Sequence, residues 1–239
     1  MKITVVLLTW KRITHLRKTL GMLASQTNKS FEVRISNGNL AMSNIVNQYV
    51  AMFKNKLSIK LTHDGNDTGT FRRFTVAAEA AKSGSDVILF IDDDVTFSET
   101  YIDQMISCYE PETYKSGFAW NFQQDGKDYY RYRTKVRSES SLVHYCGTGV
   151  AMVDASIFLN PGFFAAPKES FFIEDLWLSY FAQHVMKWKL KYIPLKEVHV
   201  GGGDQHALYK KIMKEKRTRG SIDKADFLRM LVQKYGWKL

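Results

Sequence analysis

Residues 86–94 read DVILFIDDD. Five apolar side chains in a row, 87–91, fit a strand buried on both faces, as in the middle of a parallel sheet. The run stops at Asp92, Asp93 and Asp94. Three adjacent carboxylates repel one another and need a cation, hydrogen-bond donors or open water. In open α/β sheets, ligands bind beyond the carboxyl ends of the strands. This junction therefore predicts the architecture and the site together.

The pattern upstream agrees. ITVVLLT at 3–9 is a second run of the buried-strand kind, FEVRIS at 31–36 alternates, and LSIKLTH at 57–63 is a further strand. Between them, apolar residues recur at helical spacing from Thr14, from Ser43 and over 74–81. Alternating strands and helices with short connections predict an α/β fold: a Rossmann-like, doubly wound, mostly parallel sheet with helices on both faces. The rest of the chain is less regular. It suggests a helix at 101–109, strands at 117–122 and 129–134 around a Gln-Asp-Gly turn at 124–126, and a strand at 147–153. An amphipathic helix over 174–188, a short strand at 191–195, a glycine-rich loop at 198–204 and basic helices at 208–217 and 221–235 follow. With no internal repeat and no linker, 1–239 reads as one domain.

Composition narrows the partners. At 45% hydrophobic and 13% aromatic residues, wholesale disorder is excluded. No apolar run approaches the roughly 18 residues of a spanning helix, and MKITVVLLTWKR reads as a first strand rather than a signal peptide. Two cysteines, Cys108 and Cys146, define no disulfide framework and form no CxxC metal site, which favours a reducing, cytoplasmic setting. Of the net charge of +10, residues 201–239 contribute ten Lys/Arg less four Asp/Glu, or +6. Such asymmetry suggests an acidic partner: nucleic acid, a membrane surface or a phosphate-bearing substrate.

Several residues stand out chemically. Two of the three aspartates can hold Mg²⁺ or Mn²⁺ against a diphosphate, although a solvated, helix-capping turn has the same residues. Glu174 and Asp175 open a helix, where acids complement the dipole and where a carboxylate can also serve as a general base. Trp10, flanked by Lys11 and Arg12, can stack on a base at the end of the first strand or pack in the core. Arg72 and Arg73 begin a helix after Gly69, a location suited to phosphate. His199 follows a short strand and can complete a metal site with the aspartates, with His206 its rival. Gly147-Thr148-Gly149 would let the backbone approach a sugar. No GxGxxG follows the first strand, and no P-loop or GxSxG elbow is present.

In order and spacing these pieces resemble the GT-A fold glycosyltransferases, closest to family 2, over residues 3–199. ITVVLLTWKR resembles the opening strand, which implies that Thr9, Trp10 and Arg12 line the nucleotide base. The Asp-Gly-Ser turn of that family is here Ser36-Asn37-Gly38-Asn39, so Asn37 stands where an acid usually meets the base. Gly69, Arg72 and Arg73 match the segment before the fourth strand. FIDDD is similar to the DXD motif, implying Asp92 and Asp93 on the nucleotide side, with Asp94 and Asp92 as metal ligands. GTGVAMVDASIF resembles the acceptor-side strand, placing Gly147, Thr148 and Gly149 near sugar or acceptor. IEDLWLSYF implies Asp175 as the base beside Glu174, and KYIPLKEVHV implies His199 as a metal ligand.

The resemblance thus implies a nucleotide-binding half (1–95), an acceptor-side half (96–200) and a basic helical tail (201–239). It implies Mn²⁺- or Mg²⁺-dependent transfer of a sugar, from UDP-sugar by preference, to a hydroxyl of a glycan or glycoconjugate, with inversion. The tail remains available to a membrane surface, an anionic acceptor or a closing donor site. A nucleotidyltransferase would need a glycine-rich basic loop where TWKRITH stands. A nucleic-acid-binding module would leave both acidic sites unexplained, so nucleic acid ranks last.

Overall fold

The computed structural model describes residues 1–65, 68–123, 129–131, 133–138, 141–201 and 222–239. The first half alternates without exception. Strand β1 (Ile3–Thr9) leads to helix α1 (Ile13–Ala24), β2 (Phe31–Asn37) to α2 (Ser43–Phe53), and β3 (Ser58–His63) to α3 (Arg72–Lys82) and β4 (Val87–Ile91). A short strand β5 (Val95–Thr96) and helix α4 (Tyr101–Ser107) follow, then β6 (Thr113–Ser116), β7 (Ala119–Phe122), β8 (Arg133–Lys135), β9 (Tyr145–Cys146) and β10 (Val150–Asp154). Helix α5 (Glu174–Tyr180), β11 (Lys189–Tyr192), β12 (His199–Val200) and α6 (Lys224–Gln233) complete the described strands and α-helices.

Seven strands form one sheet in the order β11-β6-β10-β4-β1-β2-β3, and only β10 runs against the others. All five residues of β4 are buried because its alternate side chains enter two different cores. Ile88 and Phe90, with Val6 of β1, pack against Phe74 and Ala77 of α3. Val87, Leu89 and Ile91 pack on the opposite side with Leu16 and Leu20 of α1 and Ile102 of α4. The two halves of the chain share this sheet: β6, β10 and β11 extend it beyond β4. Two smaller ladders flank it, β12 with β5 and the three-stranded β8-β7-β9.

Several expected bounds shift. The helix expected over 174–188 is α-helical only to Tyr180 and continues as a π-helical turn, Phe181–Val185. The wider turn keeps Phe181 and Ala182 both buried, and Lys187, at φ 61°, ends the rod. The strand expected at 191–195 is β11 instead, because Pro194 has no N–H for the ladder. Among the described residues of the strand expected at 129–134, Arg133 and Thr134 join a ladder, while Tyr129 turns into an aromatic cluster with Phe122 and Tyr145. The strand expected at 147–153 starts at Val150, after a turn through the two glycines.

The final segment is not a loose basic extension. Asp223 caps α6 in a reciprocal box with Asp226. Phe227, Leu228, Leu231 and Trp237 are buried, and Trp237 Nε1 donates to Gln183 Oε1 at 2.7 Å. The turn expected at 124–126, the helix expected at 208–217 and His206 lie outside the described residues. Among the described residues no helix is long and apolar enough to cross a membrane.

Candidate active site

The strand order sets the location. From β1 the chain winds outward to β2 and β3, then returns through α3 to place β4 on the other side of β1. The crevice beyond the carboxyl ends of β1 and β4 is thus a topological switch point. Thr9 and Trp10 end one strand and Asp92–Asp94 the other. Trp10 is 42% exposed, with the Lys11 ammonium 4.3 Å from its ring centre. Thr9 is buried, and its Oγ1 has no hydrogen-bond partner among the described residues.

Two arginines divide the three aspartates. Arg12 pairs with Asp93 and, at 2.9 Å, with Asp94. Burial pushes the Asp93 carboxyl up to about 7; Asp92 and Asp94 add to this and Arg12 opposes it. Arg73 takes Asp92, with Nη2 2.9 Å from Oδ1. Its Nη1 donates to the Thr148 carbonyl at 3.2 Å, and its Nε lies 3.2 Å from Glu174 Oε1. A guanidinium so deeply buried keeps its charge, and the carboxylates around it offset the cost of its burial. Arg73 therefore faces inward, unlike the phosphate-facing role its helix-start position suggests. Arg72 turns the other way, donating to the Asp64 carbonyl at 2.8 Å and lying flush against Gly38, where a Cβ would fall 2.1 Å from its Nη1. Beside it, buried Asn37 closes an Asx turn by accepting from Asn39 N at 3.0 Å, and donates toward His63 Nδ1 at 3.0 Å.

The Glu-Asp pair at the start of α5 splits in role. Glu174 is buried and accepts from Thr70 and, at 3.1 Å, from Thr148. Burial raises its pKa against the pull of Arg73. It ties α5 to α3 and to the Gly147–Thr148–Gly149 turn. Asp175 points to a different group of residues. Its Oδ1 accepts from Leu176 N at 3.0 Å. Its Oδ2 accepts from the Tyr145 hydroxyl and from Lys224 Nζ at 2.5 Å. Lys224 also lies 3.0 Å from the Tyr145 hydroxyl. Burial opposes the charge on Lys224, but Asp175 outweighs it and holds the pKa above the usual lysine value. Sequence reasoning missed Thr70, Tyr145 and Lys224. For Lys224 a signal existed: it follows a capping aspartate and opens a helix with an apolar face, so that turn had to dock.

For a divalent cation the donor set fits in kind. Carboxylates are hard oxygen ligands, and the Asp92 side chain is 40% exposed. Glycine is required close by: a Cβ at Gly149 would fall 2.7 Å from Asp92 Oδ2, and one at Gly201 3.0 Å from the Asp94 carbonyl. His199 lies on β12, which pairs with β5 directly after the aspartates, and Gly201 N donates to the Asp94 carbonyl at 2.7 Å. Even so, among the described residues no three His, Cys, Asp or Glu side chains converge as a metal site. The expected set of Asp92, Asp94 and His199 is thus not assembled as three protein ligands. A cation here would need further oxygens beyond these side chains to complete its coordination.

No protein-family model and no curated protein sequence matches the chain. Its backbone nonetheless superposes on solved structures. A mannosyltransferase from Pyrobaculum calidifontis, PcManGT, in complex with GDP-Man and Mn²⁺, matches with a TM-score of 0.65 at 11% identity, over 90% of this chain and 61% of that one. GalNAc-T7 with UDP, GalNAc and Mn²⁺ matches with a TM-score of 0.64 at 11% identity, over 86% of this chain and 44% of that one. S. aureus TarS matches with a TM-score of 0.57 at 16% identity, over 98% of this chain and 44% of that one. The chain spans less than two thirds of the length of each. Likeness at these identities is a likeness of fold, and with the strand order and the acidic switch point it establishes that this chain has the GT-A fold.

Proposed function

We propose that this chain is a glycosyltransferase that moves a sugar from a nucleotide diphospho-sugar to a hydroxyl of a glycan or glycoconjugate. One observation carries the reading. A single guanidinium, Arg73, touches both Asp92 of the acidic run and Glu174 of the Glu-Asp pair. Donor-side and acceptor-side carboxylates, far apart in sequence, thus flank one crevice at the switch point.

In this mechanism Trp10 stacks on the base and the Thr9 hydroxyl offers a buried polar contact beside it. Asp92 and Asp94 would hold Mn²⁺ or Mg²⁺, which when bound supplies positive charge to the leaving diphosphate. Arg12 keeps Asp93 and Asp94 together until donor arrives. The turn at Gly147–Gly149 lets backbone lie close to the sugar. Asp175 takes the proton of the acceptor hydroxyl as that oxygen attacks the anomeric carbon, while the bond to the diphosphate breaks on the opposite face. The sugar is therefore inverted. Glu174 and Arg73 act as positioning residues that set the start of α5 against the acidic run. UDP-sugar is the favoured donor.

Calorimetric titration with UDP-, GDP- and dTDP-sugars, with and without Mn²⁺, tests the reading. Metal-dependent binding of one of them is expected, with Asp94→Ala removing it and Asp175→Ala sparing it while abolishing transfer. Absence of binding to every donor under both conditions would overturn it.

A further inference from the structure

We propose that the outer face built by α1 and α2 docks on an anionic lipid bilayer. The face lies outside the crevice, so its binding is independent of what the crevice transfers.

Charge is distributed unevenly along the chain. Residues 1–63 hold ten Lys/Arg less one acid, or +9 of the +10 total. The tail's +6 is offset by residues 64–200, with fourteen Lys/Arg and nineteen Asp/Glu. The single early acid, Glu32, is already neutralised by Arg34 Nε at 2.6 Å and Lys60 Nζ at 2.9 Å. Neither α1 nor α2 contains an acid, and α2, SNIVNQYVAMF, carries no charge of either sign. Asp103 meets Thr27 and Asn28 beyond the C-terminal end of α1.

The fold turns these residues outward together. Both helices pack on the same side of the sheet, α1 through Leu16 and Leu20 and α2 through Val46 and Val50. That leaves Ile45, Tyr49 and Met52 on one stripe of α2, at i, i+4 and i+7. Ile45 is 41% exposed and Met52 55%, and Leu40, in the turn before α2, is 56% exposed. Arg17 and Lys18 of α1 are exposed, as are Lys54 and Lys56 just after α2. None of these four cations is ion-paired among the described residues, in contrast to Arg12 and Arg73 in the crevice. Between the helices opens a groove of about 450 Å³, lined by Thr14, Arg17, Lys18, Gly21, Tyr49 and Phe53. Arg17 spans it, 5.8 Å from the Tyr49 ring centre.

Apolar tips flanked by cations, with no acid between them, match the boundary between anionic headgroups and acyl chains. Leu40, Ile45 and Met52 would enter that boundary while Arg17 and Lys18 keep their charges among the headgroups. A nucleic-acid backbone would meet the cations but leave the three apolar side chains in water. A second copy seated on the same face would bring two strongly basic surfaces together. The last helix offers less, since α6 is docked by its apolar side and spends Lys224 on Asp175.

The test is co-sedimentation of the full chain with vesicles of phosphatidylcholine alone and of an equimolar mixture with phosphatidylglycerol, at low and high salt. At least tenfold tighter binding to the mixed vesicles is expected, weakening as salt rises. Arg17→Gln/Lys18→Gln should lower that binding at least tenfold, and Ile45→Gln/Met52→Gln at least threefold, with melting temperatures equal to the parent's. Should the first pair melt early, Lys18→Gln alone should still lower binding, by about fivefold. Lys234→Gln/Lys238→Gln removes the same charge from exposed residues at the end of the chain and should leave binding unchanged. An equal loss in that variant would reduce the effect to net charge and overturn the proposal. So would vesicle binding that neither helix variant alters, self-association through this face, or tighter capture of a short DNA duplex governed by Arg17 and Lys18.

Discussion

The two sides of the crevice hold their carboxylates in the same way but assemble them differently. At the acidic run, three aspartates sit at the end of a fully buried strand and are met by Arg12, just after β1, and Arg73, at the start of α3. Every participant stands at an element boundary of the regular half. At the start of α5, Asp175 is met by Tyr145 from a two-residue strand and Lys224 from the last helix. Ionised carboxylates in a partly dry crevice need cations or donors wherever they stand. A regular βα framework delivers them through short connections, whereas the irregular half recruits them from a distance.

The largest effect should separate the sides most sharply. Asp175→Asn is expected to lower single-turnover transfer by ~10³-fold, within the range for removal of a general base, with donor affinity unchanged by titration; reduced donor affinity would mean that the sides are not functionally distinct. Next comes the cation they share. Arg73→Met leaves Asp92 and Glu174 without it and should cost about 3–5 kcal/mol in denaturant unfolding. The same change at Arg12, whose side chain is 20% exposed, should cost about 1–2 kcal/mol.

Lys224→Met should lower the turnover rate by roughly 10- to 100-fold, as loss of a positioned charge partner does, with Lys224→Arg restoring part of it. A stability loss without a rate change would make Lys224 merely structural. On the donor side, Gly149→Ala drives a Cβ against Asp92 and should weaken metal-dependent donor binding about tenfold, or ~1.4 kcal/mol. The smallest effect lies outside the crevice. Hydrogen bonds from Lys115 and Lys191 hold the Glu110 carboxyl at about 2. A carboxylate whose folded pKa lies below its unfolded value of about 4.3 stabilises above that pH and loses the contribution as pH falls toward 2. Because Glu110 is 44% exposed, Glu110→Gln should flatten the acid limb of the melting profile by no more than about 1 kcal/mol.

Legibility followed the same division. The strands through β4, the helices between them and the place of the acidic run at a strand end were readable because burial on both faces leaves continuous apolar runs that end where solvent begins. Trp10 and the aspartates stand at those ends. Arg73 was readable as a functional candidate but not in its orientation, since a helix-start arginine looks the same in sequence whether it faces phosphate or two buried acids. Tyr145 carries no local pattern, and the capping aspartate before Lys224 marks a helix start without saying what the lysine meets. Lys224 counted as one of ten positive charges in a basic tail, and only the docking of α6 turned it onto Asp175.

By itself the sequence determined the alternating strands and helices of the first half and the position of the acidic run, because alternation, periodicity and the need to solvate carboxylates act over a few neighbouring residues. Tertiary structure alone decided which cation meets which acid, and that Glu174 faces the core and Asp175 faces Tyr145 and Lys224. Those outcomes depend on the register and docking of segments remote in sequence, where a shift of one residue would send every side chain to the other side.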